Sequence, residues 1–227
     1  MLKKMKVKGE IDSLNFSSYH LEDYFLNEDD YIIEEVKGVG VFNHHRWIEE
    51  FKKSLDRNII EGKILHTLTG ITLPIKRFSV KKDKQTLEFA GLCRYDDKSK
   101  LLNELLQSLK EHIQDEVITR IDIAIDFKSK IPRRVIKNLK DRRKPFRWCN
   151  SKYFKTDGEK KKNYNINILL YPKHKKDNLD FELERLEFSF MGSYLDGKKL
   201  KDLPSLFQKI TKTIKSFTGL EVEINPL

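Results

Sequence analysis

The residues best suited to chemistry lie in the run Arg120-Ile121-Asp122-Ile123-Ala124-Ile125-Asp126-Phe127. Its strict alternation predicts a half-buried strand. Ile121, Ile123, Ile125 and Phe127 take one face; Arg120, Asp122, Ala124 and Asp126 take the other. Two acids and an arginine on one face of an otherwise apolar strand suit a site better than a core. Two later segments repeat the pattern. Tyr164 to Tyr171 offers Asn165, Asn167 and Tyr171 on its polar face, and Phe181 to Phe190 offers Arg185, Glu187 and Ser189. If the three strands pair, Asp122, Asp126, Glu187, Arg185, Asn167 and Tyr171 share one surface.

That set suits phosphoryl transfer. Asp122, Asp126 and Glu187 supply the oxygen ligands that Mg²⁺ or Mn²⁺ prefers, and such a cation polarises a phosphate oxygen. Arg185 or Arg120 offers a bidentate fork for phosphate. The Tyr171 phenol is a nucleophile once activated, and its attack on a phosphodiester leaves a phosphotyrosine link. The competing expectation is an exposed structural ion pair between Asp122 and Arg120 or Arg185.

The elements that must position these groups follow from periodicity. Strands are expected over Tyr31 to Lys37, Ile71 to Val80, Thr86 to Cys93, from Val117, over Tyr164 to Tyr171 and Phe181 to Phe190, with a short last one at Glu221 to Ile224. Helices are expected over His45 to Ile59, Lys100 to Gln114 with Ser99 as cap, Pro132 to Leu139, and Leu203 to Phe217. This order predicts an α+β fold with a single, largely antiparallel sheet, helices packed on one face and the other face open to DNA and metal. The 227 residues are expected to form one catalytic domain, with a motif core at about 117–190 and an N-terminal subdomain over 1–80.

A formal net charge of +10 favours a polyanionic partner, nucleic acid first. Cys93 and Cys149, far apart in sequence, suggest no disulfide or metal pair. No segment is apolar enough to span a membrane, and the basic start lacks the apolar run of a secretory signal, so a cytoplasmic protein with no membrane partner is expected. His44 and His45 are adjacent and read as structural or solvated.

The run Arg120 to Asp126 resembles the R-x-D-x-x-x-D strand of rolling-circle replication initiators and relaxases of the replication-initiation-factor family. Leu169-Leu170-Tyr171-Pro172-Lys173 and Arg185-Leu186-Glu187 fall where that family has a strand ending in tyrosine, acid, lysine and then an R-x-E strand. The likeness spans about Val117 to Phe190. It implies metal-dependent DNA nicking and strand joining, with Mg²⁺ or Mn²⁺ on Asp122, Asp126 and Glu187 and Tyr171 attacking. It also implies a single-stranded or hairpin origin as partner and a host helicase as a second one; oligomeric state is left open. Pro172 stands where the family has an acid, so Tyr164 and Tyr153 remain alternative nucleophiles, with Tyr95 and Tyr194 behind them. A primase-type nucleotidyl transferase and a DNA-binding regulator that does not cut are the rival functions.

DNA contacts are expected from a basic, aromatic loop, Lys140 to Trp148, carrying Arg142, Arg143, Arg147, Phe146 and Trp148, and from Arg120, Lys173 and Lys175. Cations there would neutralise phosphates while rings stack on unpaired bases.

Overall fold

A computed structural model describes residues 5–18, 31–36, 59–66, 72–81, 84–154 and 165–225. The strands are β1 (Lys6–Ser18), β2 (Tyr31–Val36), β3 (Ile59–His66), β4 (Thr72–Lys81), β5 (Lys84–Ala90), β6 (Val117–Phe127), β7 (Pro145–Trp148), β8 (Ser151–Phe154), β9 (Ile166–Pro172), β10 (Glu184–Met191) and β11 (Glu221–Ile224). The helices are α1 (Asp97–Ile113), α2 (Arg133–Arg142), α3 (Lys173–Asp177) and α4 (Leu203–Thr218). The architecture is α+β with largely antiparallel pairing. The chain divides into two compact units, residues 1–13 with 120–227, and residues 14–119, so the boundaries fall inside β1 and β6.

In the first unit the strand order is β7-β8-β9-β10-β6-β1, and β11 pairs in parallel with the start of β1. One face is the core. Ile121, Ile123, Ile125 and Phe127 of β6 line up with Leu186, Phe188 and Phe190 of β10, Ile168 and Leu170 of β9, and Phe154 of β8, all buried. Helix α4 covers this face: Leu206, Phe207, Ile210 and Ile214 are buried at helical spacing, and the Phe188 and Phe217 rings lie 6.4 Å apart. Gly219, at φ 76°, ends α4 in the left-handed turn that glycine adopts most easily. Helix α2 docks beside α4 through the Asn138 side-chain amide, which donates to the Thr218 carbonyl at 2.8 Å.

In the second unit β2, β3, β4, β5 and the latter part of β1 follow one another, with antiparallel pairing from β2 through β5. Leu101, Leu102, Leu105, Leu106, Leu109 and Ile113 form the buried stripe of α1. The Phe16 and Phe89 rings stack at 6.0 Å.

Several elements differ from expectation. Helix α1 is capped by Asp96, which accepts from the Ser99 backbone N–H at 3.0 Å; the Ser99 hydroxyl instead donates to the Gly91 carbonyl. Ile59, expected to end a helix, begins β3, and the rest of that helix, with His44 and His45, lies outside the described residues. Lys140 to Trp148 is not one loop: α2 runs on to Arg142, and Pro145–Trp148 pairs with β8 as a hairpin. Pro172 leads into α3. Tyr164 lies outside the described residues.

Gly9 fits β1 because there is no room for a side chain: a Cβ would stand 2.8 Å from Val222 Cγ1 and 3.2 Å from Ile123 Cγ2. Gly9→Val is therefore expected to lose about 1–3 kcal/mol through overpacking, read as a lower urea midpoint with an unchanged slope. An unchanged midpoint would contradict that packing.

Candidate active site

The site lies wholly within the first unit. Opposed residues of antiparallel strands share a face, so the register places the polar groups together. Arg185 stands opposite Asp126, Glu187 opposite Ala124, and Ser189 opposite Asp122. On the other side of β10, Tyr171 stands opposite Arg185, Leu169 opposite Glu187, and Asn167 opposite Ser189. Tyr153 stands opposite Leu169. The parity reading of Asp122, Asp126, Glu187, Arg185, Asn167 and Tyr171 thus corresponds to one surface of this unit.

The centre of that surface is not open. Asp122 is 2% exposed, Tyr171 3% and Arg185 0%. Burial is tolerated because the charges are paired. Arg185 forks onto Asp126, with Nε to Oδ1 and Nη2 to Oδ2 both at 2.7 Å, and its Nη1 donates to Asp12 Oδ1 at 2.8 Å. Arg120, 38% exposed along its side chain, forks onto Asp122 at 2.9 and 2.6 Å. Asp122 and Asp126 are four residues apart, about 13 Å along a strand, so each closes on its own arginine.

These pairings redistribute the expected roles. Both Asp126 oxygens are held by the fully buried Arg185, whereas both Asp122 oxygens are held by Arg120, which is partly in solvent, so of the two acids Asp126 is the more firmly committed to its arginine. Arg185 is enclosed and tied to two carboxylates, not to solvent where a phosphate would arrive. The residue that the sequence reading missed is Asp12, on β1. Its signal was present: Lys6, Lys8, Glu10 and Asp12 alternate with Val7, Gly9 and Ile11.

Glu187 is the group under most electrostatic pressure. Burial first, and then the like charges of Asp12 and Asp122, push its carboxyl up to about 7. The Tyr171 hydroxyl donates to Glu187 Oε2 at 3.1 Å. Burial, followed by the Glu187 charge, holds the Tyr171 proton on well above the usual phenol range. Tyr153 is half-buried, and burial and then Glu187 and Cys149 raise its phenol too. Burial also raises Asp122, against the lowering effect of Arg120.

Among the described residues, no three His, Cys, Asp or Glu side chains already stand as a metal cage. The donor chemistry nevertheless fits a hard divalent cation. Asp12, Asp122 and Glu187 offer oxygen only, repel one another, and include a carboxyl whose proton a cation would displace.

The expected DNA-contacting residues divide. Arg142 and Arg147 are exposed, as is Lys175. Arg143 is half-buried, donates to the Phe154 and Ile166 carbonyls, and lies 4.8 Å from the Phe217 ring centroid. Lys173 is buried and pairs with Asp177 at 2.7 Å. Arg143 and Lys173 therefore serve the fold. Only the backbone of Trp148 is described, in β7. Tyr194 bonds to Thr213 and belongs to the α4 side.

Searches against protein-family models and curated proteins find no match. A solved structure does match: a rolling circle replication initiator protein from Geobacillus stearothermophilus, 14% identical, with a TM-score of 0.50 over 93% of this chain and 85% of that one. The chain shares the fold of a rolling circle replication initiator. At that identity the likeness establishes the fold alone. Among the described residues no helix is long and apolar enough to cross a membrane.

Two outcomes follow from the pairings. Arg185→Met leaves the half-buried Asp126 and Asp12 without their cation, and is expected to cost about 3 kcal/mol in chemical denaturation; a loss under 1 kcal/mol would show that the fork is not the strut. The second concerns Glu187. A carboxyl with a folded-state value raised from 4.5 to about 7 binds its proton more tightly when folded. Its stabilisation is present at low pH, falls as pH rises from 4.5, and is gone above about 7. In EDTA at pH 8, Glu187→Gln should therefore be more stable than wild type, by up to about 3 kcal/mol, and the two should converge near pH 4.5. Equal melting at pH 8 would refute the raised value.

Proposed function

We propose that this protein is a DNA-nicking and strand-joining enzyme of rolling-circle replication initiation, working through a covalent phosphotyrosine link. The observation that carries the reading is Glu187, a carboxyl raised to about 7 that holds the Tyr171 hydroxyl at 3.1 Å beside two further acids. The shared initiator fold supports it.

In this reading Asp12, Asp122 and Glu187 would hold Mg²⁺ or Mn²⁺, and Asp126 serves by fixing Arg185. A bound cation supplies Lewis-acid polarisation of a phosphate oxygen. The rest belongs to the chain. Glu187, whose Oε2 already accepts the hydrogen bond from the Tyr171 hydroxyl, takes the phenolic proton. The Tyr171 oxygen forms a bond to phosphorus as the phosphorus–deoxyribose oxygen bond breaks. The departing oxygen takes a proton from solvent and becomes a free hydroxyl, while Glu187 returns its proton to solvent. Strand joining reverses these steps: a DNA hydroxyl attacks the phosphotyrosine and the phenol leaves. Arg120, the more exposed arginine, is the better phosphate contact of the two.

A second assignment of the nucleophile has its own support. Tyr171 is 3% exposed, whereas Tyr153 is half-buried and within the electrostatic reach of the same Glu187. Incubation with Mn²⁺ and a labelled single-stranded or hairpin origin oligonucleotide should give a denaturant-resistant protein–DNA adduct. Tyr171→Phe should reduce it to background. An intact adduct in Tyr171→Phe that disappears in Tyr153→Phe would move the nucleophile to Tyr153. Tight, salt-sensitive binding with no adduct under any divalent cation would leave a DNA-binding regulator, and nucleotide incorporation on a template would indicate a primase-type transferase.

A further inference from the structure

We propose that the β7–β8 hairpin carries a stacking subsite for one unpaired base of single-stranded DNA, with the Phe146 ring as its platform. The proposal rests on the DNA-processing reading above and assigns part of its substrate path.

Phe146 is a large aromatic side chain left 51% exposed. It stands opposite Tyr153, Tyr153 opposite Leu169, and Leu169 opposite Glu187. One row of side chains thus crosses four strands and ends at the candidate catalytic carboxyl. At a strand spacing of about 4.8 Å, Phe146 lies roughly 14 Å from Glu187. The Phe146 and Tyr153 ring centroids are 6.4 Å apart and tilted by 50°. The pair is tilted and not stacked face to face, and about half of the Phe146 side chain faces solvent, where a flat group can reach it.

Charge identifies the occupant. From Arg142 to Phe154 the chain has Arg142, Arg143, Lys144, Arg147 and Lys152, and no acid. Arg143 is committed to backbone carbonyls. Lys144, just before β7, is exposed, and so is Arg147, which alternation turns to the other face of this edge strand from Phe146. A flat apolar ring on an edge strand with exposed cations before and behind it suits a single strand whose phosphates are neutralised while a base lies on the ring. A duplex would keep its bases paired and leave the ring unused, so the ligand is single-stranded.

The experiment is fluorescence anisotropy of a labelled oligothymidylate in EDTA, so that binding is separated from cleavage. Phe146→Ala should weaken binding by about 5- to 150-fold, the equivalent of one lost base–aromatic stack. The slope of log K against log salt should stay unchanged. Phe146→Tyr should bind like wild type. Arg147→Ala should instead make the slope shallower by about 0.7. Should Phe146→Ala fail to melt cooperatively, Phe146→Leu keeps the apolar bulk, lacks the ring and is expected to show the same loss. Wild-type affinity in a folded ring-less variant overturns the proposal, as does an affinity loss accompanied by a changed slope. Unchanged DNA binding with altered self-association would make Phe146 a protein contact instead. If wild type forms the covalent adduct but Phe146→Ala binds normally, only this subsite is lost; if wild type neither binds single strands nor forms the adduct, the functional reading itself falls.

Discussion

A fully enclosed guanidinium organises the first unit. Burying an isolated cation costs several kcal/mol even after relaxation, so Arg185 is tenable only where carboxylates meet it. Asp126 supplies a complete fork from β6, and Asp12 supplies a third acceptor from β1. The requirement is geometric as well as electrostatic. Slipping β10 by one residue against β6 would turn Arg185 to the opposite face and into the Phe188–Phe217 core. The ion cluster therefore specifies the register that the apolar face also demands, and the two faces support the same pairing.

The cluster is not neutral. One cation set against Asp12 and Asp126 leaves an excess negative charge beside Glu187 and Asp122. The acids differ in how fully they are compensated. Asp126 has a buried bidentate partner, Asp122 has a partner that is partly in solvent, and Glu187 has a neutral phenol. Glu187 consequently answers by holding its proton. Unrelieved like-charge contact lowers stability, and such strain persists where surrounding pairing fixes the backbone. Here the Arg185 fork does that fixing. The stable pair and the unstable acid are two parts of one arrangement, separated by only two positions along β10.

Much of this was legible in the sequence, for definite reasons. The alternation over Arg120 to Phe127 reports a strand with two unlike faces, and the same parity in the two later strands places Tyr171, Arg185 and Glu187 correctly relative to it. Parity cannot report burial. An arginine on the polar face reads the same whether it meets solvent or a pair of carboxylates, so Arg185 looked like a phosphate clamp. Spacing along a strand also separates Asp122 from Asp126 by four residues, too far for one small cation, and it is β1 that supplies the nearer acid. The alternation from Lys6 to Asp12 was there to be read, but it contains Gly9, a weak strand former, and so gives a fainter strand signal than Arg120 to Phe127. The β7 hairpin was hidden for a tertiary reason: Pro145–Trp148 is four residues long and basic, and pairing with β8 makes it a strand. Asp96 and Ser99 both suit a helix start; chain direction through Gly91 leaves the serine hydroxyl serving the preceding turn.

The arrangement also resolves an apparent conflict in the charges. A chain with a net charge of +10 attracts a polyanion, yet its candidate chemical centre is acidic and would repel phosphate. The two signs occupy different strands. Acids converge from β1, β6 and β10 at one side of the first unit's sheet, while the acid-free basic segment from Arg142 to Phe154 forms β7, β8 and the turn before them. The acidic and basic groups thus stand at separate places, joined by the row from Phe146 through Tyr153 and Leu169 to Glu187. In the proposed function, phosphates held at the basic end would bring a strand toward the acids without being bound by them. A cation among Asp12, Asp122 and Glu187 would then be the element that reverses the local repulsion, so substrate and metal would favour each other's binding through charge alone.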